Sequence, residues 1–286
     1  MFRPYALLTR RRLLQLGAGA LAGGAGLVGY ALGVEPHWVE VVRRPLPVEH
    51  LPAALEGQLL VQLSDLHIGA QVADDFLLGA FARARALEPA LVVVTGDFMT
   101  CRGDEELPHA LRVLEELPRG RLGTLAVPGN HDYGMSASMR RVADRLGAGL
   151  AGLGVRLLRN ERATVAGLTF VGLDDLWARR FRPRQALAGL RADEPRVALC
   201  HNPDAADERG WGDYRGWVLC GHTHGGQCKP PLLTPPCLPV RNKRYVAGEV
   251  DLGDGRRLYI NRALGHLLRA RFNARPEITA FTLTRG

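Results

Sequence analysis

Three apolar runs in the first half of the chain end abruptly at polar or glycine positions. They occupy residues 59–64, 91–94 and 122–127. Continuous apolar runs of this length, bounded by turn residues, predict strands buried on both faces. Segments with helical character come after them, over residues 76–87, 105–117 and 135–146. This alternation predicts a sheet covered by helices.

The second half of the chain has shorter apolar runs joined by tight turns. We predict strands there over residues 155–158, 163–165, 168–173, 196–200, 216–220, 245–250, 257–261 and 278–283. The tight turns predict that part of the sheet system is antiparallel. A short helix is predicted at 185–190, and a long loop at the Pro-rich run 229–239. We find no internal repeat, linker or second core, so residues 34–286 are predicted to be one domain.

Side chains able to bind a metal come directly after five of the predicted strands. They are Asp65, His67, Asp97, Asn130, His131, Asp132, His201, His222 and His224. Any one of these histidines, taken alone, is better explained as a surface or hydrogen-bonded core residue. Five of the nine histidines in the chain lie in these motifs, however, so chance is a poor explanation for the whole set. Because α/β proteins hold reactive groups at strand ends, we predict a metal site there.

The ligand types narrow the choice of metal. Mixed imidazole, carboxylate and amide groups without thiolate suit Mn²⁺, Fe or Zn²⁺ better than Ca²⁺ or an iron–sulfur cluster. The chain has five cysteines and no CxxC pair, so a disulfide framework is not expected. Cys200 and Cys220 close apolar runs and are predicted to be core thiols. Cys228 and Cys237 flank the Pro-rich loop and could pair if the protein is exported.

Net charge adds little to this picture. The formal charge is +8, but residues 1–33 carry four arginines and no acid, which leaves about +4 for the remainder. The sequence has no basic helix and no interleaving of aromatic and basic residues, so specific nucleic-acid binding is not expected. Attraction to anionic substrates or to lipid headgroups remains compatible with the charge.

Residues 1–33 are predicted to be a targeting segment and not part of the fold. The run Thr9-Arg10-Arg11-Arg12-Leu13-Leu14-Gln15 resembles a twin-arginine export signal. The apolar segment 16–32 behind it is rich in glycine and alanine, which makes it a poor spanning helix. Its length is near the minimum for a membrane span, so an anchor is the alternative. We expect a cleaved signal or a weak anchor.

The motifs resemble those of the calcineurin-like metallophosphoesterases, and all five are present in order between residues 58 and 226. The resemblance implies an α/β fold with mixed sheets, a four-layer αββα sandwich, with two divalent ions at the strand ends. Manganese is favoured over iron or zinc. By motif, Asp65, His67, Asp97 and His224 would hold one ion. The second ion would be held by Asn130, His201, His222 and the shared Asp97.

The reaction that the resemblance implies is hydrolysis of a phosphodiester or pyrophosphate bond by a metal-bridging hydroxide. Two ions about 3.5–4 Å apart activate a bridging water and stabilise charge in an in-line displacement. An acid must also serve the leaving oxygen, and His131 is the candidate, with Asp132 or Asp65 as its orienting partner. Arg262 is equally a phosphate clamp or an ordinary salt-bridge partner.

A closer resemblance is to the exported branch of that family, of the YkuE and YaeI type. It rests on the twin-arginine start, the runs 63–69 and 221–227, and the tail 259–278. Ala263 in that tail stands where relatives usually have glycine. The branch implies export by the twin-arginine machinery to the periplasm or the outer face of the cytoplasmic membrane. It also implies an anionic phosphoester substrate, lipid-linked or nucleotide-linked.

Two other functions are open at this point. Some members of the branch act on UDP-2,3-diacylglucosamine in lipid A synthesis, so a pyrophosphatase of that kind is one alternative. A binding scaffold that kept the fold and lost catalysis is an alternative of another class. The sequence retains all seven ligand positions and His131, which argues against the scaffold because such a protein has no chemical need for the acid.

Overall fold

A computed structural model describes residues 9–134 and 140–286 of the chain. Its twelve strands are β1 Glu40–Val48, β2 Leu59–Leu63, β3 Leu91–Thr95, β4 Gly123–Val127, β5 Arg156–Leu157, β6 Glu161–Val165, β7 Leu168–Gly172, β8 Arg196–Leu199, β9 Gly216–Cys220, β10 Gly248–Asp251, β11 Arg256–Ile260 and β12 Glu277–Arg285. Its α-helices are α1 Arg10–Gly33, α2 Asp74–Arg85, α3 Leu107–Glu115, α4 Asn130–Tyr133, α5 Arg140–Gly152 and α6 Pro183–Leu187. Short 3₁₀ turns occupy Glu35–His37, Ala53–Leu55, Asp104–Glu106, Pro203–Asp207 and His224–Gly226.

The strands form two six-stranded sheets. The first has the order β1-β12-β2-β3-β4-β5, and the second has the order β10-β11-β9-β8-β7-β6. The first sheet is parallel except where β12 meets β2, and the second is antiparallel only at its two edge pairs. Both sheets are therefore mixed, as the sequence predicts. Strand β1 lies at an edge of the first sheet. Pro45 and Pro47, which have no backbone N–H to donate, are tolerated there because an edge strand has a neighbour on one side only.

The sheets pack face to face and enclose the central core. That core includes Leu60 and Val93 from the first sheet and Phe170 and Leu219 from the second, all without solvent exposure. Each strand of this kind is buried on both faces because a second apolar layer covers the outside. Helices α2, α3 and α5 cover the outer face of the first sheet. Short elements cover the second: α6, the 203–207 turn and the loops around Trp211 and Tyr245.

The apolar segment near the N-terminus is a continuous helix of 24 residues, and none of its residues is buried. Its glycines do not interrupt it, because glycine lowers helix stability through backbone entropy but keeps the N–H donor of each helical hydrogen bond. By length and composition this helix could cross a membrane, a test that a signal sequence also passes.

Most differences from the predicted elements are at their ends. The first part of the predicted helix 135–146 falls outside the described residues, and α5 extends it to Gly152. The predicted strand 245–250 begins only at Gly248, and the side chain of Tyr245 before it donates a hydrogen bond to Asp207 (2.6 Å). All five cysteines are free, with Cys200 and Cys220 buried as predicted.

Candidate metal centre

The predicted site residues of both sheets meet at one edge of the sandwich. Strands β2, β3 and β4 of the first sheet lead to Asp65 and His67, to Asp97, and to Asn130. Strands β8 and β9 of the second sheet lead to His201 and to His222 and His224. These strands run parallel within each sheet, so their carboxyl ends share an edge. This is the position at which open α/β sheets present functional side chains.

One cluster of possible ligands consists of Asp65, His67 and His224. The two imidazole Nε2 atoms lie 3.1 Å apart. Oδ1 of Asp65 lies 3.3 Å from Nε2 of His224 and 3.9 Å from Nε2 of His67. All three side chains are buried.

A second cluster consists of Asp97, His201 and His222. Nε2 of His201 lies 3.2 Å from Oδ2 of Asp97 and 3.1 Å from Nδ1 of His222. The amide oxygen of Asn130 lies 3.1 Å from the same Nε2 atom, so it joins this cluster.

The Asp97 carboxylate connects the two clusters. Its Oδ2 atom is 3.6 Å from Nε2 of His67 in the first cluster and 3.2 Å from Nε2 of His201 in the second. Ligand atoms about 2.1 Å from one ion are separated by about 3.0–3.4 Å in octahedral or tetrahedral geometry. Most of the observed separations, 3.1–3.3 Å, match this spacing. The distances from Nε2 of His67 to Asp97 (3.6 Å) and to Asp65 (3.9 Å) are longer. The side chains therefore fit two ions that share Asp97, with His67 the least closely placed ligand.

Three of the four histidines in the clusters have a hydrogen-bond partner for the ring nitrogen that faces away, and within the described residues Nδ1 of His224 has none. Nδ1 of His67 lies 3.1 Å from the Thr100 hydroxyl, and Nδ1 of His201 lies 2.8 Å from the carbonyl oxygen of Thr95. Such outer hydrogen bonds select the tautomer that directs a lone pair inward. Nε2 of His222 is held in the same way by the carbonyl oxygen of Pro239, at 2.8 Å.

Charge in the centre is set by two buried carboxylates. Burial disfavours ionisation of Asp65 and Asp97, but the facing imidazoles, His201 first among them, hold the pKa of both below its usual value. Burial lowers the pKa of His67 and His222 to about 3, so both rings are neutral at pH 7. Neutral imidazoles and ionised carboxylates are the protonation states that a divalent ion requires.

His201 differs from the other imidazoles. Burial disfavours its charged form, but Asp97 and then Asp65 outweigh burial and raise the pKa of His201 well above its ordinary value. Over the described ranges 9–134 and 140–286, no lysine or arginine lies within ion-pair distance of either carboxylate. The same two carboxylates that raise the pKa of His201 would attract divalent cations.

The backbone of the ligand segments is strained. Five of the seven predicted ligands have left-handed φ angles: Asp65 (52°), His67 (50°), Asp97 (54°), His222 (73°) and His224 (52°). Non-glycine residues rarely adopt this region, and such outliers cluster at functional sites. Gly129 and Gly221 sit so close that a Cβ atom would overlap the Asp97 carboxylate and the Ser64 and Asp65 side chains.

His131 lies beside the first cluster and is not part of either. Its ring packs edge-to-face on His67 with 4.9 Å between centroids, and its backbone N–H donates to Oδ1 of Asp97 (2.8 Å). The side chain is half-buried and adjoins the metal ligands. The ring therefore adjoins the possible ligands without belonging to either cluster.

Asp132 has partners other than the expected His131 ring. Its carboxylate accepts the backbone N–H groups of Gly129 (2.8 Å), Asp97 (3.0 Å) and Met99 (3.2 Å). Burial, followed by the charge of Asp97, raises the pKa of Asp132 to about 7. Asp65, the other expected partner of His131, instead accepts from the Ser64 hydroxyl (2.5 Å) and the His222 N–H. Within the described residues, neither carboxylate is bonded to the His131 ring.

Arg262 is held in ion pairs. Its guanidinium donates to Glu277 (2.5 Å) and to Glu40 (2.9 Å), and only 20% of the side chain is exposed. Of the two interpretations that the sequence leaves open, this geometry matches the salt-bridge partner.

The sequence reasoning missed Trp177. Its indole packs edge-to-face on His222 with centroids 4.5 Å apart, and 51% of the residue is exposed. A large aromatic residue in a polar loop just after a predicted strand was the available signal.

The sequence is similar to those of known metal-dependent phosphoesterases, in agreement with the two clusters of possible metal ligands. The family model for calcineurin-like phosphoesterases matches residues 59–226. The chain is 34% identical to phosphodiesterase YaeI of Escherichia coli, over 97% of this chain and 100% of that protein. It is 32% identical to the uncharacterised metallophosphoesterase YkuE of Bacillus subtilis, over 96% and 98% of the two chains. It is 29% identical to the UDP-2,3-diacylglucosamine pyrophosphatase LpxG of Chlamydia trachomatis, over 87% and 90%.

Proposed function

Because this chain belongs to the calcineurin-like phosphoesterase family, and is on that ground a metal-dependent phosphoric ester hydrolase, we propose that it is an exported phosphodiesterase with two metal ions. One observation carries the proposal. The buried carboxylate of Asp97 lies next to side chains of both ligand clusters and so connects them. Sites that hold two metal ions close together are typical of phosphoester hydrolases.

We assign three side chains to each ion and one side chain to both. Asp65, His67 and His224 hold one ion, Asn130, His201 and His222 hold the other, and Asp97 is shared. We favour manganese among the metals that suit nitrogen and oxygen ligands without thiolate. When bound, the two ions supply Lewis acidity toward the phosphoryl oxygens and toward an attacking water.

His131 is assigned as the proton donor to the leaving oxygen. Support comes from its half-buried position beside the first cluster and from the absence of its ring from both ligand sets. Asp132 is assigned a positioning role, because it accepts three backbone N–H groups from the loops that carry Asp97 and His131. Arg262 is assigned to the ion pair with Glu277.

The preferred substrate is a phosphodiester, as in the relative that is named a phosphodiesterase. A pyrophosphate bond in a UDP-linked lipid precursor is the second candidate, supported by the similarity to LpxG. The non-catalytic scaffold has less support, because the loops still place His131 beside the clusters.

We further propose that the twin-arginine pathway exports the chain, with residues 34–286 as a single folded domain. The paired arginines and the apolar helix α1 support this route, which carries folded proteins. The enzyme would then work in the periplasm or at the outer face of the cytoplasmic membrane.

The test combines a substrate panel with metal analysis. Chelated protein with Mn²⁺ restored should hydrolyse diesters or pyrophosphates faster than monoesters. Asp97→Ala should lose both ions and all activity, because both clusters use its carboxylate. Asp193→Ala is the matched control, because it removes an exposed carboxylate far from the clusters. This variant should retain the two ions and the activity. Two ions still bound to Asp97→Ala would refute the shared-ligand assignment.

A further inference from the structure

Four exposed leucines lie on two neighbouring loops next to the metal centre. Leu232 and Leu233 lie in the loop 229–239, with exposed fractions of 104% and 65%. Leu267 and Leu268 lie in the loop 264–272, with exposed fractions of 40% and 67%. We call these four side chains the apolar rim. Leucines this exposed are unfavourable in water unless another apolar phase covers them.

The two loops are hydrogen-bonded into one unit. The Gln227 side-chain amide donates to the carbonyl oxygens of Leu268 (2.6 Å) and Ala270 (3.0 Å). The backbone continues this link, because Phe272 N–H donates to Gln227 (2.9 Å) and Lys229 N–H donates to Phe272 (2.7 Å). The rim leucines are therefore presented together.

The same unit is fastened to the end of α1. The N–H of Arg271 donates to the carbonyl oxygen of Ala31 in the last turn of the helix, at 2.9 Å. Just beyond the helix, the buried carboxylate of Glu35 accepts the N–H of Ala274, at 2.7 Å. The apolar rim is thus continuous with the one helix of the described chain that could cross a membrane.

Both loops also begin at the metal centre. The N–H of Gly265 donates to the carbonyl oxygen of Asp65 (2.8 Å), at the start of the second loop. The first loop comes after His224 and ends at Pro239, whose carbonyl oxygen accepts from His222. Both rim loops are therefore anchored at the edge of the sandwich that carries the ligands.

Charge around the rim is positive. Lys229 and Arg269 are exposed beside the leucines. In the part of the chain that the structure describes, neither has a carboxylate within ion-pair distance, and the Arg269 guanidinium lies 3.2 Å from Nε2 of His37. Exposed leucines flanked by unpaired cations are the combination that binds an anionic bilayer surface.

We propose that the apolar rim inserts into an anionic membrane surface and holds the metal centre against the lipid headgroups. The substrate class would then be a phosphoester of a membrane lipid and not a water-soluble diester. This inference rests on the proposed phosphodiesterase function, and it narrows that function to substrates presented by a bilayer.

The test uses two esters with the same leaving group. The full chain is reconstituted with Mn²⁺ in vesicles of phosphatidylethanolamine and phosphatidylglycerol. Activity is measured on soluble bis(p-nitrophenyl) phosphate and on hexadecyl p-nitrophenyl phosphate dissolved in the bilayer. Leu267→Ser should lose roughly three- to tenfold in kcat/KM on the hexadecyl ester, because its apolar side chain no longer enters the lipid. Its activity on the soluble ester should not change.

Leu122→Ser is the matched control. Leu122 has nearly the same exposure, 41% against 40%, but it precedes β4 at the end of the strand opposite to the metal centre. Both activities of this variant should equal those of the parent. Equal losses on the two esters in Leu267→Ser, or no loss on either, would overturn the proposal.

A second measurement does not depend on catalysis. Cys237 is exposed in the first loop, and Cys228 is less exposed, so an environment-sensitive fluorophore can be attached at Cys237 in a Cys228→Ser background. Anionic vesicles should shift its emission to the blue, and Leu232→Ser with Leu233→Ser should reverse the shift. Unchanged emission with vesicles refutes docking, and a shift that grows with protein concentration without lipid identifies a second copy as the occupant. If the parent protein hydrolysed neither ester, the result would count against the proposed function. The fluorophore would still report whether the protein docks on vesicles.

Discussion

At the scale of single residues, fourteen non-glycine positions in the described part of the chain have left-handed backbone, and five of them are predicted metal ligands. Each such residue that has a Cβ atom costs about 1–2 kcal/mol relative to a relaxed backbone. On the proposed assignment, a bound metal would compensate for this strain at Asp97 and His224. Ala263 has φ of 69° and no functional atoms, so its strain has no such compensation.

Ala263→Gly should therefore stabilise the protein. Ala263 is fully buried, its N–H donates to Asn261 (2.8 Å), and glycine keeps this contact while it removes the Cβ clash. We expect the free energy of unfolding to rise by up to about 1 kcal/mol, measured by urea denaturation of metal-loaded protein. Ala280→Gly, in the regular strand β12, is the opposite control and should be destabilising.

The substitution His131→Asn separates the proposed acid from the ligands. Two ions should stay bound, while hydrolysis slows by roughly 10²–10⁴, the usual contribution of general acid catalysis. The loss should be smaller for a p-nitrophenyl ester than for an alkyl diester, because p-nitrophenolate needs little protonation. His222→Asn should instead weaken metal binding and slow all esters alike. Equal losses across leaving groups in His131→Asn, with metal content intact, would refute the acid role.

At the scale of elements, the metal centre depends on contacts that fix loops from two sheets. Gln62 lies between the sheets, and its amide donates to the Thr95 hydroxyl (3.0 Å) and to the Cys220 carbonyl (2.8 Å). Arg271 fixes the loop after β11 by hydrogen bonds of the same kind. Its guanidinium is fully buried and donates to the carbonyl oxygens of Arg262, Ala263, Gly265 and Ala274.

We predict that Arg271→Met loosens this loop. The substitution keeps the length of the side chain but leaves several buried carbonyl oxygens without a donor, at a cost of about 2–4 kcal/mol in the free energy of unfolding. Hydrogen exchange should speed up at the N–H groups of Leu264 and Gly265, which bond to Ser64 and Asp65. Arg285→Met, which removes an exposed ion pair with Glu56, should change stability by less than about 1 kcal/mol. Equal effects of the two substitutions would contradict the structural role of Arg271.

At the scale of the whole molecule, the chain consists of a sandwich and an exposed apolar helix attached beside its metal centre. Helix α1 packs no residue into the core, so folding of the sandwich gains little from it. On the proposed export route this helix would serve delivery of the protein, because Arg10, Arg11 and Arg12 lie at its start.

Replacing Arg10, Arg11 and Arg12 by lysine keeps the charge and removes the feature that the twin-arginine pathway recognises. We predict that the protein then stays in the cytoplasm, folded and active, when cells are fractionated. Lysine at Arg43 and Arg44 in β1, outside the signal, is the control and should leave export intact. Unchanged export of the first variant would contradict the assigned route.

Local information in the sequence was enough to predict most of the strands, the types of side chain at their ends and the motifs that resemble the family, but β1 and the start of β10 were not predicted. Apolar runs that end in Asp, Asn or His reveal both a buried strand and the reactive loop after it, because strand burial and strand-end chemistry are encoded within about ten neighbouring residues. The family motifs and the mixed sheets were predicted on this basis. The positions of Asp65, His67 and Asp97 at strand ends are explained by it as well.

Tertiary structure alone decided which of these side chains face one another. Asp132 bonds to backbone N–H groups of three loop residues, and Arg262 pairs with glutamates 15 and 222 positions away along the chain. The Trp177 contact with His222 and the meeting of the rim loops with α1 are also long-range. Local patterns do not encode such contacts, because they arise where separate strands and loops pack together. The hydrogen-bond and ion-pair partners of Asp132 and Arg262 are therefore determined by how the strands and loops pack together.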